Sequence, residues 1–287
     1  MILITGAGGT VGSEVVRQLQ ASQQPVRLAF HSQHKAEQAA AAGHDVVMID
    51  YLQPETLSAA LAGAEAVFLM GNGVLGQAEG EINVVKAAQA AGVQRIVKLS
   101  VWGADSDAFM LARLHNKIER AIVASGLEWT MLRPNSFMQN FITYDLETIV
   151  RDGAFYLPAG DAAINHIDIR DIAQVATLAL TQPGHAGQVY NLSGPRAITY
   201  AEAAAILSRT IGKTVHYVEI SDAEARAALL ESGAPEEYAD TLVDLNRFFR
   251  TGGAAEGSTT VRELTAREPI SFEQFARDHI DWFVAPR

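Results

Sequence analysis

The sequence contains no cysteine, which removes disulfide scaffolds, thiolate metal sites, iron–sulfur clusters and cysteine nucleophiles together. Positive charge is scarce as well: 22 Lys plus Arg stand against 33 Asp plus Glu, a formal net charge of −11. Affinity for a phosphate backbone depends on clustered cations that release counterions, so a nucleic-acid partner is not expected. No stretch approaches the roughly 18 uninterrupted apolar residues of a membrane span, and Met1 leads straight into Ile2-Leu3-Ile4 without a basic leader. The expectation is a cytoplasmic protein that acts on a small molecule, away from any membrane. There is no His-Glu-x-x-His or similar cluster to hold a metal, and no Gly-x-Ser-x-Gly of a serine hydrolase. Chemistry must come from other side chains or from a borrowed cofactor.

What is plentiful is apolar material. Of the 287 residues, 48% are hydrophobic and only 19% charged, enough for a sizeable core. Short apolar runs at 2–5, 26–30, 46–49, 66–70, 95–99 and 129–132 alternate with Ala-rich amphipathic stretches at about 11–21, 34–42, 54–62, 78–91 and 112–125. Apolar strands separated by helix-length crossovers predict an α/β fold with a Rossmann-type doubly wound parallel sheet. Pro54 suits the first position of one helix, and Gly63, Gly92 and Gly126 suit helix ends. Beyond Arg133 the rhythm loosens into helices at about 137–151, 171–181, 200–211, 222–232, 235–250 and 271–284, with short strands near 155–157, 165–167, 189–191 and 215–218. This predicts an NAD(P)-binding domain over 1–152, a smaller, partly interleaved C-terminal α/β substrate domain over 153–287, and a return of about 165–192 to the first.

The segment Ile4-Thr5-Gly6-Ala7-Gly8-Gly9-Thr10-Val11-Gly12 lies between the first strand and the first helix. A turn this tight needs residues without Cβ so that a pyrophosphate can approach backbone N–H groups at the positive end of a helix. It is not a Gly-x-Gly-x-x-Gly, because Val11 takes the third glycine's place. Gly6, Gly9 and Gly12 instead recur at a spacing of three, with Thr10 and Val11 opening the helix. The second strand's end chooses the dinucleotide. An acid about 20 positions after the loop would hold the ribose hydroxyls of NAD, whereas a basic group suits the phosphate of NADP. Here His31, Ser32 and Lys35 precede any carboxylate, which favours NADPH while leaving NAD possible. Asp50 and Tyr51 end the third strand, where Asp50 either accepts from adenine or caps the next helix. Met70, Gly71 and Asn72 end the fourth, beside the expected nicotinamide ribose.

Residues Thr5 to Gly12, Asp50-Tyr51 with Pro54-Glu55, Ser125-Gly126-Leu127, Leu132-Arg133-Pro134-Asn135-Ser136-Phe137-Met138-Gln139-Asn140, His166-Ile167-Asp168-Ile169-Arg170-Asp171 and Tyr190-Asn191-Leu192-Ser193-Gly194-Pro195 occur in this order. Together they resemble the NmrA-like family of atypical short-chain dehydrogenases and reductases, over nearly the whole chain. The resemblance implies a Rossmann-type domain with a small substrate domain and NAD(P)H as cofactor. Its members include quinone oxidoreductases, triphenylmethane dye reductases and cofactor-sensing regulators, so fold alone does not settle function.

Ordinary short-chain dehydrogenases place Tyr and Lys four apart after the fifth strand. Here Lys117 has Arg113 at that place, so the proton-donating phenol is absent. The candidates that remain are Ser100 and His115 for catalysis, with Trp102, Asn135, Phe137 and Met138 for substrate. His115 and Glu119 share a helix face at i, i+4. His115 either orients substrate or supplies a proton; alternatively His115 or Lys117 simply pairs with Glu119. Asp171 reads as a helix N-cap, with Asp168 and Arg170 stabilising the domain junction. Reduction of a quinone or dye asks less of the protein than ketone reduction, since the product anion is delocalised and hydride transfer belongs to the cofactor. The sequence therefore predicts an NAD(P)H-dependent reductase of a quinone-like or other conjugated acceptor. The alternatives are an NAD(P)-sensing regulator without turnover and a pathway-specific reductase or isomerase.

Overall fold

The computed structural model describes residues 1–71 and 76–284, so Asn72 lies outside the described residues. The chain forms two compact units. The first comprises Met1–Asp105, Ala112–Arg133 and Ile172–Tyr190; the second comprises Ser106–Leu111, Pro134–Asp171 and Asn191–Arg287.

The elements run β1 (Ile2–Ile4), α1 (Thr10–Ala21), β2 (Val26–Phe30), α2 (Gln33–Ala41), β3 (Asp45–Met48), α3 (Pro54–Leu61), β4 (Ala66–Leu69), α4 (Gln77–Ala90), β5 (Arg95–Leu99), α5 (Met110–Ala124) and β6 (Glu128–Pro134). After them come α6 (Asn140–Thr143), α7 (Leu146–Asp152), β7 (Ala154–Leu157), β8 (Ala163–Ile164), α8 (Ile169–Thr181) and β9 (Gln188–Leu192). One seven-stranded sheet has the order β3-β2-β1-β4-β5-β6-β9. Its first six strands pair in parallel, with Ile4 opposite both Leu28 and Phe68, and Val97 opposite both Phe68 and Thr130. Strands covered on both faces must be apolar throughout, and β1 and β4 are buried along their whole length. Leu3, Val67, Ile96 and Met131 form a core with Leu57, Val84 and Ile118 from the helices. Helix α3 opens on Pro54 at its first turn, where the missing N–H leaves no bond unmade.

The chain continues through β10 (Ile198–Thr199), α9 (Tyr200–Ile211), β11 (His216–Glu219), α10 (Asp222–Glu231), α11 (Glu236–Arg250), α12 (Thr260–Thr265), α13 (Phe272–Asp278) and α14 (Ile280–Val284). The helix expected over 137–151 is two helices, since Asp145 stands at the N-cap of a new one after Tyr144 ends the first. The helix expected over 271–284 is likewise interrupted at His279. No helix among the described residues is long and apolar enough to cross a membrane.

In the second unit, His166 sits in an aromatic enclosure with ring centroids 5.5 Å from Tyr200, 5.6 Å from Phe141 and 6.2 Å from Phe272. It is buried, and neither ring nitrogen has a hydrogen-bond partner among the described residues. Burial pushes its pKa down to about 3. The unfolded chain takes up this proton near pH 6.5 and the folded chain does not, so stability is lost as pH falls from about 6.5 toward 3, by roughly 1.4 kcal/mol per pH unit. A His166→Phe variant is expected to lose about 1–2 kcal/mol less than the parent between pH 7 and pH 5. Urea midpoints at the two pH values measure this; equal losses in both proteins would show that His166 is not the group responsible.

Candidate active site

The glycine loop is built by contact rather than by composition alone. Gly6 has a positive φ of 62°, and the N–H of Gly9 donates to the Gly6 carbonyl at 2.9 Å to close the turn. A Cβ on Gly12 would lie 2.1 Å from the Gly6 carbonyl oxygen, so the first turn of α1 can pass over the loop only at a glycine. Val11 is buried and serves packing, while Thr10 is exposed at the helix start. Gly9 offers α1 no side-chain cap, and the first turn holds no acid. The positive helix end is left for an external anion, which fits a pyrophosphate.

Thr5 fastens the loop to the fourth strand: its hydroxyl donates to the Phe68 carbonyl at 2.9 Å and accepts from the Met70 N–H at 2.8 Å. The Met70 methyl would touch a side chain at Gly6 (2.9 Å) or Gly9 (3.1 Å), so Met70 lies against the loop. Tyr51 donates to the Met70 carbonyl at 2.6 Å, and burial pushes its phenol well above the ordinary range. Tyr51 thus supports the floor of the site as a neutral group. Asp50 does not cap α3, whose N-cap is Gln53. Its carboxylate accepts from the Leu52 N–H at 3.0 Å and from Gln53 Nε2 at 2.8 Å, holding the turn. A side chain at Gly71 would meet Gln77 and Glu81 at 2.6 Å, so the end of β4 presses directly on α4.

At the second strand's end, His31, Ser32 and Lys35 are exposed. Ser32 caps α2 by accepting from the Lys35 N–H. Lys35 reaches back, with Nζ donating to the Gly8 carbonyl at 3.0 Å. Sequence spacing placed this ammonium near the second strand; the structure brings it onto the glycine loop.

The end of β5 carries the largest departure from the expected site. Glu119 pairs with neither His115 nor Lys117. Its Oε1 accepts from Ser100 Oγ at 2.5 Å and from Arg133 Nε at 3.0 Å, and its Oε2 accepts from Arg133 Nη2 at 2.6 Å. Arg133 also bonds Asp105 at 2.7 Å. Burial works against its charge, but Glu119 and Asp105 more than offset this and hold its pKa above the usual value. His115 is buried, and its Nδ1 has no hydrogen-bond partner among the described residues. Burial first, then the Lys98 charge, push its pKa well below the ordinary value. It is a neutral imidazole, which favours the orienting role expected of it over the supply of a proton. Lys117 and Arg113 are exposed on α5.

Sequence reasoning missed Lys98 and Glu81. Both side chains are fully buried, with Nζ 2.8 Å from Glu81 Oε2 and 3.1 Å from Oε1; Gln77 Nε2 donates to the same carboxylate at 2.7 Å. Burial lowers the Lys98 pKa, and the Glu81 charge opposes that. A lysine inside the apolar run 95–99 was the available signal, because a parallel strand covered on both faces has no solvent for an ammonium.

The proposed substrate residues divide. Trp102 is nearly buried in the turn after β5, within the first unit. In the second unit, Asn135 is already engaged, donating to the Ala254 carbonyl at 2.9 Å and accepting from the Ser136 N–H at 2.8 Å. Met138 is packed in that unit's core, whereas Phe137 keeps partial exposure beside its bridge to Ile167. Phe109 stacks on Phe248 at 4.2 Å. Asp171 is not a helix cap: it lies inside α8 and accepts from the Ile270 N–H at 2.8 Å. Asp168 takes the capping role, accepting from the Arg170 N–H at 2.9 Å.

A sheet of this order, a glycine turn and an uncapped first helix define a dinucleotide-binding fold of the Rossmann type. The NmrA-like family profile matches residues 1–282, and the chain belongs to that family. It is 37% identical over 286 residues to the NAD(P)H azoreductase of Xenophilus azovorans, covering 99% of this chain and 100% of the relative. Among solved structures it matches an NADPH-dependent quinone oxidoreductase of Escherichia coli complexed with NADPH (TM-score 0.86, 32% identity, 97% and 99% of the two chains). It also matches the triphenylmethane reductase of Citrobacter sp. complexed with NADP(H) (TM-score 0.86, 28% identity, 98% and 100%).

Proposed function

We propose that this protein is an NADPH-preferring reductase that passes hydride to a conjugated small molecule such as a quinone or an azo or triphenylmethane dye. The observation that carries it is the glycine loop with its uncapped helix and Lys35 lying on it, in a chain whose relatives reduce such acceptors with NAD(P)H. The backbone N–H groups at Gly9 to Gly12 hold the pyrophosphate. Lys35, with Ser32 and His31, meets the adenosine phosphate, while Asp50, Tyr51, Met70 and Gly71 line the rest of the cofactor's course. Bound cofactor supplies the hydride. Ser100 and neutral His115 orient the reacting pair by hydrogen bonds, and Trp102, in the same unit, offers apolar surface to a flat acceptor. Such a protein works in the cytoplasm, where the reduced cofactor is made. In this reading the first unit holds the cofactor and the second is the substrate domain, with the boundary moved from the expected residue 152, since 106–111 and 134–152 fall in the second unit and 172–190 return to the first.

NADPH oxidation followed across quinones, enones, imines and dyes tests the reading. Tight cofactor binding with no turnover would replace it with a cofactor-sensing role. For the cofactor preference, Lys35→Glu is expected to weaken NADPH binding about 10-fold or more and NADH binding about 2-fold or less, because only the former has a ribose 2′-phosphate to lose its cation. Equal losses would remove the basis for the NADPH preference.

A further inference from the structure

Four charged groups and one hydroxyl form a continuous buried row in the first unit. Glu81 on α4 pairs with Lys98 on β5; two residues on, Ser100 bonds Glu119 on α5, which is gripped by Arg133 on β6. Residues two apart on a strand face the same side, so Lys98 and Ser100 share a sheet face, and Glu119 feels Lys98 as well as Arg133. The Arg133 guanidinium donates to both oxygens of Glu119, at 3.0 Å and 2.6 Å, and a carboxylate gripped in this bidentate way only accepts hydrogen bonds.

The Ser100 hydroxyl has one hydrogen, and the 2.5 Å bond to Glu119 uses it. Hydrogen bonds to a charged acceptor are short and strong, so turning the hydroxyl outward to donate elsewhere is disfavoured by about 10- to 100-fold. We propose that Glu119 is a positioning residue that presents Ser100 as a hydrogen-bond acceptor only, so that Ser100 recognises an N–H or O–H group of the bound cofactor or acceptor. This rests on the reductase reading above. Held this way, Ser100 does not protonate the reduced product. The cofactor's carboxamide N–H is one such donor, and a ring hydroxyl on the acceptor is another.

Dissociation constants for NADPH and for its reduced 3-acetylpyridine analogue, in which a methyl replaces the carboxamide nitrogen, separate the two sources. Both are measured by fluorescence titration on the parent, Ser100→Ala, Ser100→Thr, Glu119→Gln and the Ser100→Ala/Glu119→Gln pair. The parent is expected to prefer NADPH about 10-fold. Ser100→Ala should abolish the preference, and Ser100→Thr, which keeps the oxygen, should restore it. Glu119→Gln, whose amide can donate to Ser100, should weaken it, and the double variant should lose no more than Ser100→Ala alone. If the preference appears instead in KM, for hydroxyquinones over their methyl ethers, and follows the same pattern, the donor belongs to the acceptor molecule and the assignment of Ser100 holds. If Ser100→Ala leaves both preferences at parental values, the proposal is overturned, even where NADPH binding and turnover persist and the reductase reading stands. Because Ser100→Ala keeps the Glu119–Arg133 pair intact, it decides the matter even if Glu119→Gln fails to fold.

Discussion

A Gly12→Ala variant is expected to bind NADPH at least about 100-fold more weakly than the parent and to be less stable by about 1–3 kcal/mol. In an ordinary exposed helix the same change would stabilise by about 1 kcal/mol, through helix propensity. Here the sign reverses because the added Cβ would lie 2.1 Å from the Gly6 carbonyl oxygen, 2.7 Å from its carbon and 3.2 Å from Ala7 Cα. All three are backbone atoms, so no rotamer relieves the clash, and either α1 or the turn must move. Gly9 provides the contrast: its nearest obstacle is the flexible end of Met70 at 3.1 Å, so Gly9→Ala should be milder. Calorimetric titration with NADPH and urea denaturation of both variants measure the difference. Parental affinity in Gly12→Ala would mean that the pyrophosphate does not use this turn.

Lys98→Met should cost about 3–5 kcal/mol of stability, because it strands the Glu81 carboxylate where both side chains are fully buried. Adding Glu81→Gln removes that charge while keeping an acceptor for Gln77, and should recover most of the loss. Buried ion pairs are often no better than neutral replacements, although breaking one side is severe. Denaturation midpoints of the single and double variants distinguish these cases. A single variant as stable as the parent would show that the two groups are not held as an ion pair.

The β-α rhythm of the first unit was legible because each parallel strand is a short apolar run and each crossover helix has its own period. The glycine loop was legible because the constraint is local, with every atom that demands a glycine at 12 within six residues. The electrostatics of the site were not. At i, i+4 the sequence offered His115 as the partner of Glu119, whereas the sheet brings in Arg133 from the next strand with two hydrogen bonds. A bidentate guanidinium outcompetes a weak helix-surface pair, and nothing in spacing along α5 reveals it. Asp171 misled for a similar reason: its capping chemistry was read locally, while its carboxylate accepts from the N–H of Ile270, 99 residues away. In the second unit, Asp145 and His279 divide two expected helices, because side-chain periodicity continues across a break that only the backbone makes.

The place of β9 at the sheet edge bears on how the protein is made. Residues 188–192 lie beside β6, and Arg95 of β5 donates to the carbonyls of Ala179, Leu180 and Gln182. On the ribosome, a chain of some 135 residues would hold six strands in parallel but would leave β6 as an open edge, able to pair with another nascent chain. Closure of the cofactor-binding sheet must wait until nearly 60 further residues have emerged. Until then the β6 edge has no partner strand of its own chain to cover it.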